Sequence, residues 1–458
     1  MAIMRKMTTA PGCDYVETRE HMLTTDRKMM VNGNLTANAE TAESGVSARV
    51  YHHGYWGFAS TPATDSKSRN KVMNKAVDNA RVMSQFGDRQ ALDLGATAYQ
   101  GDQTPQRKPA MSQKETIDFM QAIDDHCKQR YPGLKSTTVM LQEEHHRKRF
   151  ATSNAGEGLN TIDRAACYIF MIAEDKNGKP VELAEYVSGK GSFADIDLSI
   201  EGLEPRLDSL YDHLRAKCDA IPAKGGEHTI VLSPELAGML AHEAMGHPCE
   251  ADLVLSGSAT GGLVGEPVAS ELITMVDFAH HYNGKELMIP VYADDEGSEA
   301  IDAVLIENGI MRNFMTSRET AARLGIPSTG NARAYRFNDE PLVRMRNTAI
   351  LPGTSSLEEM ISDVEQGYYL MKTGNGQADS TTEFMFGIDL AYEIKNGKLG
   401  RAITDTTVSG TAINMLKTVD AVSNDMSWSC SGYCGKKQPM VVSMGGPAIR
   451  AKAHLGGE

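Results

Sequence analysis

The sequence predicts an α+β protein of two domains, a mixed α/β N-terminal half and a β-rich C-terminal half. Three observations predict it. At 458 residues the chain is too long for one ordinary core. In the first half, apolar stripes at helical spacing alternate with short strand-like runs. In the second half, Asn-Gly pairs sit between strand candidates, the signature of successive hairpins. The expected boundaries are 1–222 for the N-terminal domain, with subregions of about 14–100 and 101–222, and 223–458 for the C-terminal domain. The segment Ile221 to Glu227 reads as the linker.

Taken in order, Val72, Ala76, Ala80 and Met83 mark a first helix that stops before Gly87. Phe119, Ile123 and Cys127 mark a second, ended by Pro132-Gly133. Val139 to Gln142, Ala166 to Ala173 and Val181 to Val187 read as strands. The last two flank Asn177-Gly178, a two-residue hairpin signal whose turn positions both favour positive φ. Leu203, Leu207, Leu210, Leu214 and Cys218 form a third helical stripe before Pro222. Beyond the linker, Asn308-Gly309 and Asn396-Gly397 join Ala303–Glu307 to Ile310–Phe314 and Leu390–Lys395 to Leu399–Ile403. Gly257 to Gly265 reads as a glycine-rich loop, either a lid or a connection.

Composition narrows the function. The chain is 41% hydrophobic and 23% charged, with a formal net charge of -14. That balance argues against a phosphate-neutralising surface, so nucleic acid is not an expected partner. The basic run His145 to Arg149 reads as a solvated loop or strand edge. The first residues lack a signal-peptide core and no stretch reaches membrane-span length, so a cytoplasmic protein without membrane contact is expected. Seven scattered cysteines, an odd number, suggest free thiols or a metal ligand instead of a disulfide framework.

One segment carries most of the chemistry. A short strand from His228 leads into Ser233, a natural N-cap, and Pro234, suited to the first helical position. Leu236, Met239 and Leu240 then supply an apolar face. His242, Glu243 and His247 follow as H-E-x-x-x-H. In a regular helix, residues four apart diverge by roughly 40° and residues five apart by roughly 140°. Two imidazoles five apart would not reach one ion. A π-bulge, or a break at Gly246, restores a common face, and the sequence predicts such a distortion. Neutral imidazoles suit zinc, which in catalytic sites keeps three protein ligands and an open position. Glu243, adjacent to a ligand, is placed to act as general base towards water acidified by the metal. The residues alone leave the third ligand open among Cys249, Glu250, Asp252, Cys430 and Cys434.

The residues around the motif resemble the TldD/TldE (PmbA) peptidase family. They are His242 to Asp252, Val268 to Leu272, Asp294 to Gly297, Leu305 to Gly309, Thr329 to Ala332, Leu351 to Gly353 and Gly376 to Asp379. The tail adds Cys434 to Gln438 and Gly445 to Arg450. The match runs in order through nearly the whole second half, and the first half fits more loosely. With H-E-x-x-x-H intact, the chain resembles the catalytic TldD side. The resemblance implies a zinc metallopeptidase acting on unfolded or leader-type peptides, working as a homodimer or as a heterodimer with a TldE-like paralogue. It also implies a cysteine third ligand near the C-terminus, where Cys434 stands.

Other features weigh less. Gly374, Gly376 and Gln377 are candidates to lie along a bound peptide. Asp294-Asp295-Glu296 reads as a turn or a structural element beside the site. The pairs His52-His53, His145-His146 and His280-His281 point to opposite faces if each lies in a strand. Gly189 to Ser192 lacks phosphate-loop spacing. Two rival functions remain, a peptide-binding or regulatory subunit with a structural zinc, and an amidohydrolase acting on small amides.

Overall fold

The structure, a computed structural model, describes residues 10–87, 89–95, 97–105, 107–378 and 381–457, with backbone alone at Asn375, Gln377 and Ala378. Asp379, at the end of one family-like segment, lies outside the described residues.

The N-terminal half is built on one seven-stranded sheet. Its strands are β1 (Tyr15–Val31), β2 (Asn34–His52), β3 (Tyr55–Thr61), β4 (Gln100–Gln103), β5 (Ser136–Thr152), β6 (Glu157–Glu174) and β7 (Pro180–Lys190). The order is β3-β2-β1-β5-β6, with β4 and β7 also paired to β6. Residues of both expected subregions therefore share one sheet. Helix α1 (Ser66–Met83) is capped by Asp65 and buries Val72, Met73, Ala76 and Ala80. Met83, expected on that face, is instead 46% exposed. Helices α2 (Gln113–Arg130) and α3 (Ile200–Cys218) cover the other part of the sheet. In α2 the buried face runs through Met120, Ile123 and Cys127, with Phe119 only half-buried beside it. The α3 stripe from Leu203 to Cys218 is buried as its spacing predicts.

The hairpins divide by backbone geometry. Asn308 and Gly309 take φ 47 and 80, and Asn396 and Gly397 take φ 49 and 72, so both pairs make tight two-residue turns. Asn177 differs. Only Gly178 has positive φ, and β6 and β7 are joined by five residues, 175–179. Asp175 explains the wider turn, because its carboxylate accepts from the backbone N–H groups of Asn177 and Lys179, each at 2.8 Å. The strand expectation also fails for two histidine pairs. His53 sits in a turn with φ 47, and the His280 and His281 Nδ1 atoms are 2.8 Å apart.

The C-terminal half contains a closed ring of strands: Gln366–Ala378, Gly226–Leu232, Ile449–Leu455, Thr406–Thr411 and Glu383–Lys395, the last pairing back to the first. A separate six-stranded sheet ends in the edge strand Ser427–Ser429. The chain between Pro234 and Leu255 is buried with strands of both, sharing one core of Leu236, Leu240, Met245, Met275, Leu370 and Ile449. Backbone approaches backbone closely there. A Cβ on Gly238 would stand 3.3 Å from the Gly445 nitrogen. Burial on both sides holds this segment rigid, which is what a side-chain constellation needs.

Candidate metal centre

Ser233 caps the segment, accepting from Leu236 N–H at 3.3 Å and donating its hydroxyl proton to the Met371 carbonyl at 2.7 Å. After one α-helical turn and a half (α4, Pro234–Met239), the chain widens into a π-helix from Leu240 to Gly246. The His247 N–H then donates to the His242 carbonyl, a bond spanning five residues. The predicted distortion is present, and it brings His242 and His247 onto one face with ring centroids 5.2 Å apart. Gly246 has ordinary helical φ of -63, so backbone freedom is not its role here. Its missing side chain admits Met345, whose sulfur would lie 2.3 Å from a Cβ.

Cys434 arrives from the far end of the chain. Its Sγ lies 3.3 Å from His247 Nε2. One donor atom each from His242, His247 and Cys434 lie within 4.8 Å of one another, and all three side chains are buried or half-buried. Burial alone would raise the Cys434 thiol, but hydrogen bonds with His242 and His247 outweigh it and bring the group down to about 4. A thiolate beside two imidazoles is a zinc-type donor set. His242 Nδ1 is buried without a hydrogen-bond partner among the described residues. These residues fit zinc.

Glu243 stands over the same space. Its two carboxylate oxygens are 3.9 Å from His242 Nε2 and 3.7 Å from His247 Nε2, and its side chain keeps 22% exposure. Glu250, a candidate ligand on sequence, does something else. It accepts from His247 Nδ1 at 2.7 Å, leaving Nε2 to face Cys434. Burial would raise the Glu250 carboxyl, yet His247 and Lys436 hold it down at about 2. Lys436 lies 3.1 Å from Glu250 and 3.0 Å from Asp252, so Asp252 is likewise engaged outside the three-residue group. Cys249 is fully buried in the apolar core and its thiol is pushed up by that burial. Cys430 is also buried with a raised thiol and is not in the group. Sequence reasoning missed Arg344 and Arg164, buried cations that hold the Cys434 segment. Arg344 donates to the carbonyls of Cys434, Lys436 and Gln438 at 2.7, 3.0 and 2.8 Å. Neither arginine lies in a motif, and no local pattern marks a buried arginine.

A cavity of about 530 Å³ opens beside α4. Glu235, Met239, Lys372, Gly374, Trp428 and Gly432 line it, with Glu185 to Ser188 of β7 opposite. Gly374 thus faces a cleft, as proposed for a substrate contact. Gly376 does not line it and packs close to Phe386, and the Gln377 side chain lies outside the described residues. The glycine-rich loop is pinned near the site, since Ser258 and Thr260 both donate to the Pro248 carbonyl, at 2.9 and 2.5 Å. It is anchored one residue from His247. Asp294 makes a turn, its carboxylate accepting from Glu296 and Ser298 N–H at 3.0 and 2.9 Å.

Comparison with known proteins places this geometry in context. The PmbA/TldA metallopeptidase C-terminal domain matches residues 225–456, and domain 1 of the same proteins matches residues 15–84. A protein of Saccharolobus solfataricus named zinc metalloprotease TldD homolog is 29% identical over 442 residues, covering 96% of this chain and 94% of its own. A metalloprotease of Methanothermobacter thermautotrophicus is 32% identical over 458 residues, covering 97% and 96%. TldE from Thermococcus kodakarensis shares the fold, with a TM-score of 0.76 at 16% identity over 100% of this chain and 99% of that one.

Proposed function

The chain belongs to the TldD/TldE (PmbA) metallopeptidase family, and from that premise we propose that it is a zinc-dependent peptidase that hydrolyses unstructured or leader-type peptides. The observation that carries the reading is the convergence of His242, His247 and Cys434 beneath Glu243, on segments whose Met239 and Gly432 line the cleft. Zinc held by the three residues would polarise the scissile carbonyl and acidify water. Glu243 would take the proton from the attacking water and return it to the departing amine nitrogen as the C–N bond breaks. Glu250 keeps His247 turned with Nε2 inward throughout.

The cleft supports an extended substrate. Two sheet edges, β7 and Ser427–Ser429, contribute to its walls, and a peptide adding as a strand uses main-chain hydrogen bonds that tolerate many sequences. Such a route admits an unfolded segment far more readily than a folded domain. A structural-zinc subunit is the weaker reading, because the clustered donors among the described residues number three and Cys430 stands outside them. Assembly as a homodimer, or with a TldE-like paralogue, and residence in the cytoplasm belong to the same proposal. Among the described residues no helix is long and apolar enough to cross a membrane.

The experiment is digestion of an unstructured peptide mixture by zinc-loaded protein, read by mass spectrometry, beside Glu243→Ala. We expect the variant to keep its zinc and lose cleavage by roughly 10²- to 10⁴-fold. Absence of cleavage by wild type, even with a TldE-like partner added, would sink the peptidase reading and leave a binding role.

A further inference from the structure

The segment that delivers Cys434 is not held by the C-terminal half alone. Two strands of the N-terminal sheet, β6 and β7, reach across to it. Arg164 on β6 donates to the Cys430 carbonyl at 2.6 Å and to the Gly432 carbonyl at 3.1 Å. Between them, Tyr168 donates its hydroxyl proton to the Ser431 carbonyl at 2.6 Å. Ser188 on β7 accepts from the Cys430 N–H at 3.0 Å. Three successive carbonyls, residues 430 to 432, are therefore taken by side chains of β6, and none is left to a neighbouring strand. Arg164 also stacks its guanidinium over the Tyr433 ring, 4.3 Å from the centroid, immediately before the ligand.

Arg164 is itself fixed. Glu144 faces it across the β5–β6 ladder and accepts from its Nη2 at 2.9 Å, with both side chains 1% exposed. Glu144 also accepts from the Tyr335 hydroxyl. A buried guanidinium costs several kcal/mol of lost hydration unless its hydrogen bonds are met. That cost makes this arginine an inefficient way to join two halves of a protein by packing alone. The two protons of its Nη1 are an efficient way to fix carbonyls two residues apart in one geometry.

We infer that Arg164, seated on Glu144, is a positioning residue for the metal centre: by gripping the backbone of residues 430 to 432 it sets where the Cys434 sulfur stands relative to His242 and His247. The inference rests on Cys434 being a ligand. It makes the N-terminal sheet a working part of the metal site, beyond any role in binding peptide. Metal sites need their ligands held within about 0.5 Å, and partners that orient ligands from outside typically govern affinity by 10- to 100-fold.

Cobalt titration of the metal-free full-length protein tests it, because a thiolate ligand gives a sulfur-to-cobalt charge-transfer band that histidines do not. Cys434→Ser should abolish the band; if it survives, the ligand assignment itself fails and Arg164 is not at issue. With that control met, Arg164→Lys should weaken cobalt binding roughly 10- to 100-fold and reduce the band at saturation. Tyr168→Phe, which removes one hydroxyl, should move both in the same direction by less. Leu207→Ala, a core substitution in α3 that removes none of the hydrogen bonds to residues 430 to 432, should lower the melting temperature and leave band and affinity unchanged. Wild-type affinity and band in both Arg164→Lys and Tyr168→Phe would overturn the inference. So would a loss in Leu207→Ala equal to that in Arg164→Lys, because the effect would then be global stability. Should Arg164→Lys fail to fold, Tyr168→Phe measured against Leu207→Ala decides.

Discussion

His247 illustrates how much a single residue depends on its neighbours. Its Nδ1 is committed to Glu250 at 2.7 Å, so its Nε2 is the nitrogen left for Cys434. Replacing Glu250 with Gln keeps the shape but removes the carboxylate that fixes ring and tautomer. We expect zinc affinity, measured by competition with a chelator, to fall roughly 10- to 100-fold. An unchanged affinity would mean that the helix alone orients the ring. The cysteines separate in the same assay. Cys434→Ser should lose zinc, whereas Cys249→Ser and Cys430→Ser should each retain it, since both thiols are buried apart from the donor group. The His-Glu-His part of this site was legible in the sequence because all three residues share one short segment. Cys434 was not legible by spacing, because it lies 187 positions from His247 and only the fold brings it there. Family-like residues around it singled it out. Glu250 was visible as a candidate, but its role as a partner to His247 depends on a short 3-10 turn, His247–Cys249, that no propensity specifies.

At the level of elements, the π-helix is the decisive unit. An α-helical path would have sent His247 to the side of the helix away from His242, and the H-E-x-x-x-H spacing alone was enough to predict a distortion. Which residue allows it is a packing question. Gly246→Ala should destabilise the fold by about 1–3 kcal/mol through overpacking against Met345. Alanine's better helix preference offsets at most about 1 kcal/mol of that. Thermal melts of Gly246→Ala, Met345→Ala and the double variant give the coupling. Strictly additive losses would show that Met345 is not the reason glycine stands there. Legibility elsewhere followed burial pattern. The α3 stripe was readable because one face is wholly buried. The β1–β2 hairpin was missed because residues 34–44 of β2 are exposed or half-exposed on both faces, so no alternation marks them. Asn308 and Asn177 look alike in sequence, and only the carboxylate of Asp175 separates their turns.

For the whole molecule, the two halves are joined through buried ionisable groups, and that predicts how stability responds to pH. On the acid side the relevant pair is His21 of β1 and His146 of β5, whose Nε2 and Nδ1 stand 3.1 Å apart. Burial, reinforced by Lys148, holds both imidazoles well below their usual range. Below pH 6.5 the unfolded chain therefore takes up protons that the folded chain refuses, and stability falls as pH drops towards the depressed folded values. The alkaline side has the opposite sign. Burial raises the Glu17 carboxyl, Arg49 working against it and Glu296 with it. Its stabilising contribution is complete below its unfolded pKa and is lost as pH rises towards the raised folded value. His145 acts similarly. Hydrogen bonds to Asp163 and Glu143 overcome its burial and raise it to about 9, so its contribution, reduced by partial exposure, disappears between pH 6.5 and 9. Urea midpoints measured across pH on metal-free protein should thus decline in both directions. Replacing both His21 and His146 with Gln should flatten the acid limb near pH 6 and leave the alkaline limb in place. A variant that kept the full acid limb would assign that limb to carboxylates and would remove the histidine pair from the account of how the sheet and the metal-bearing half stay joined.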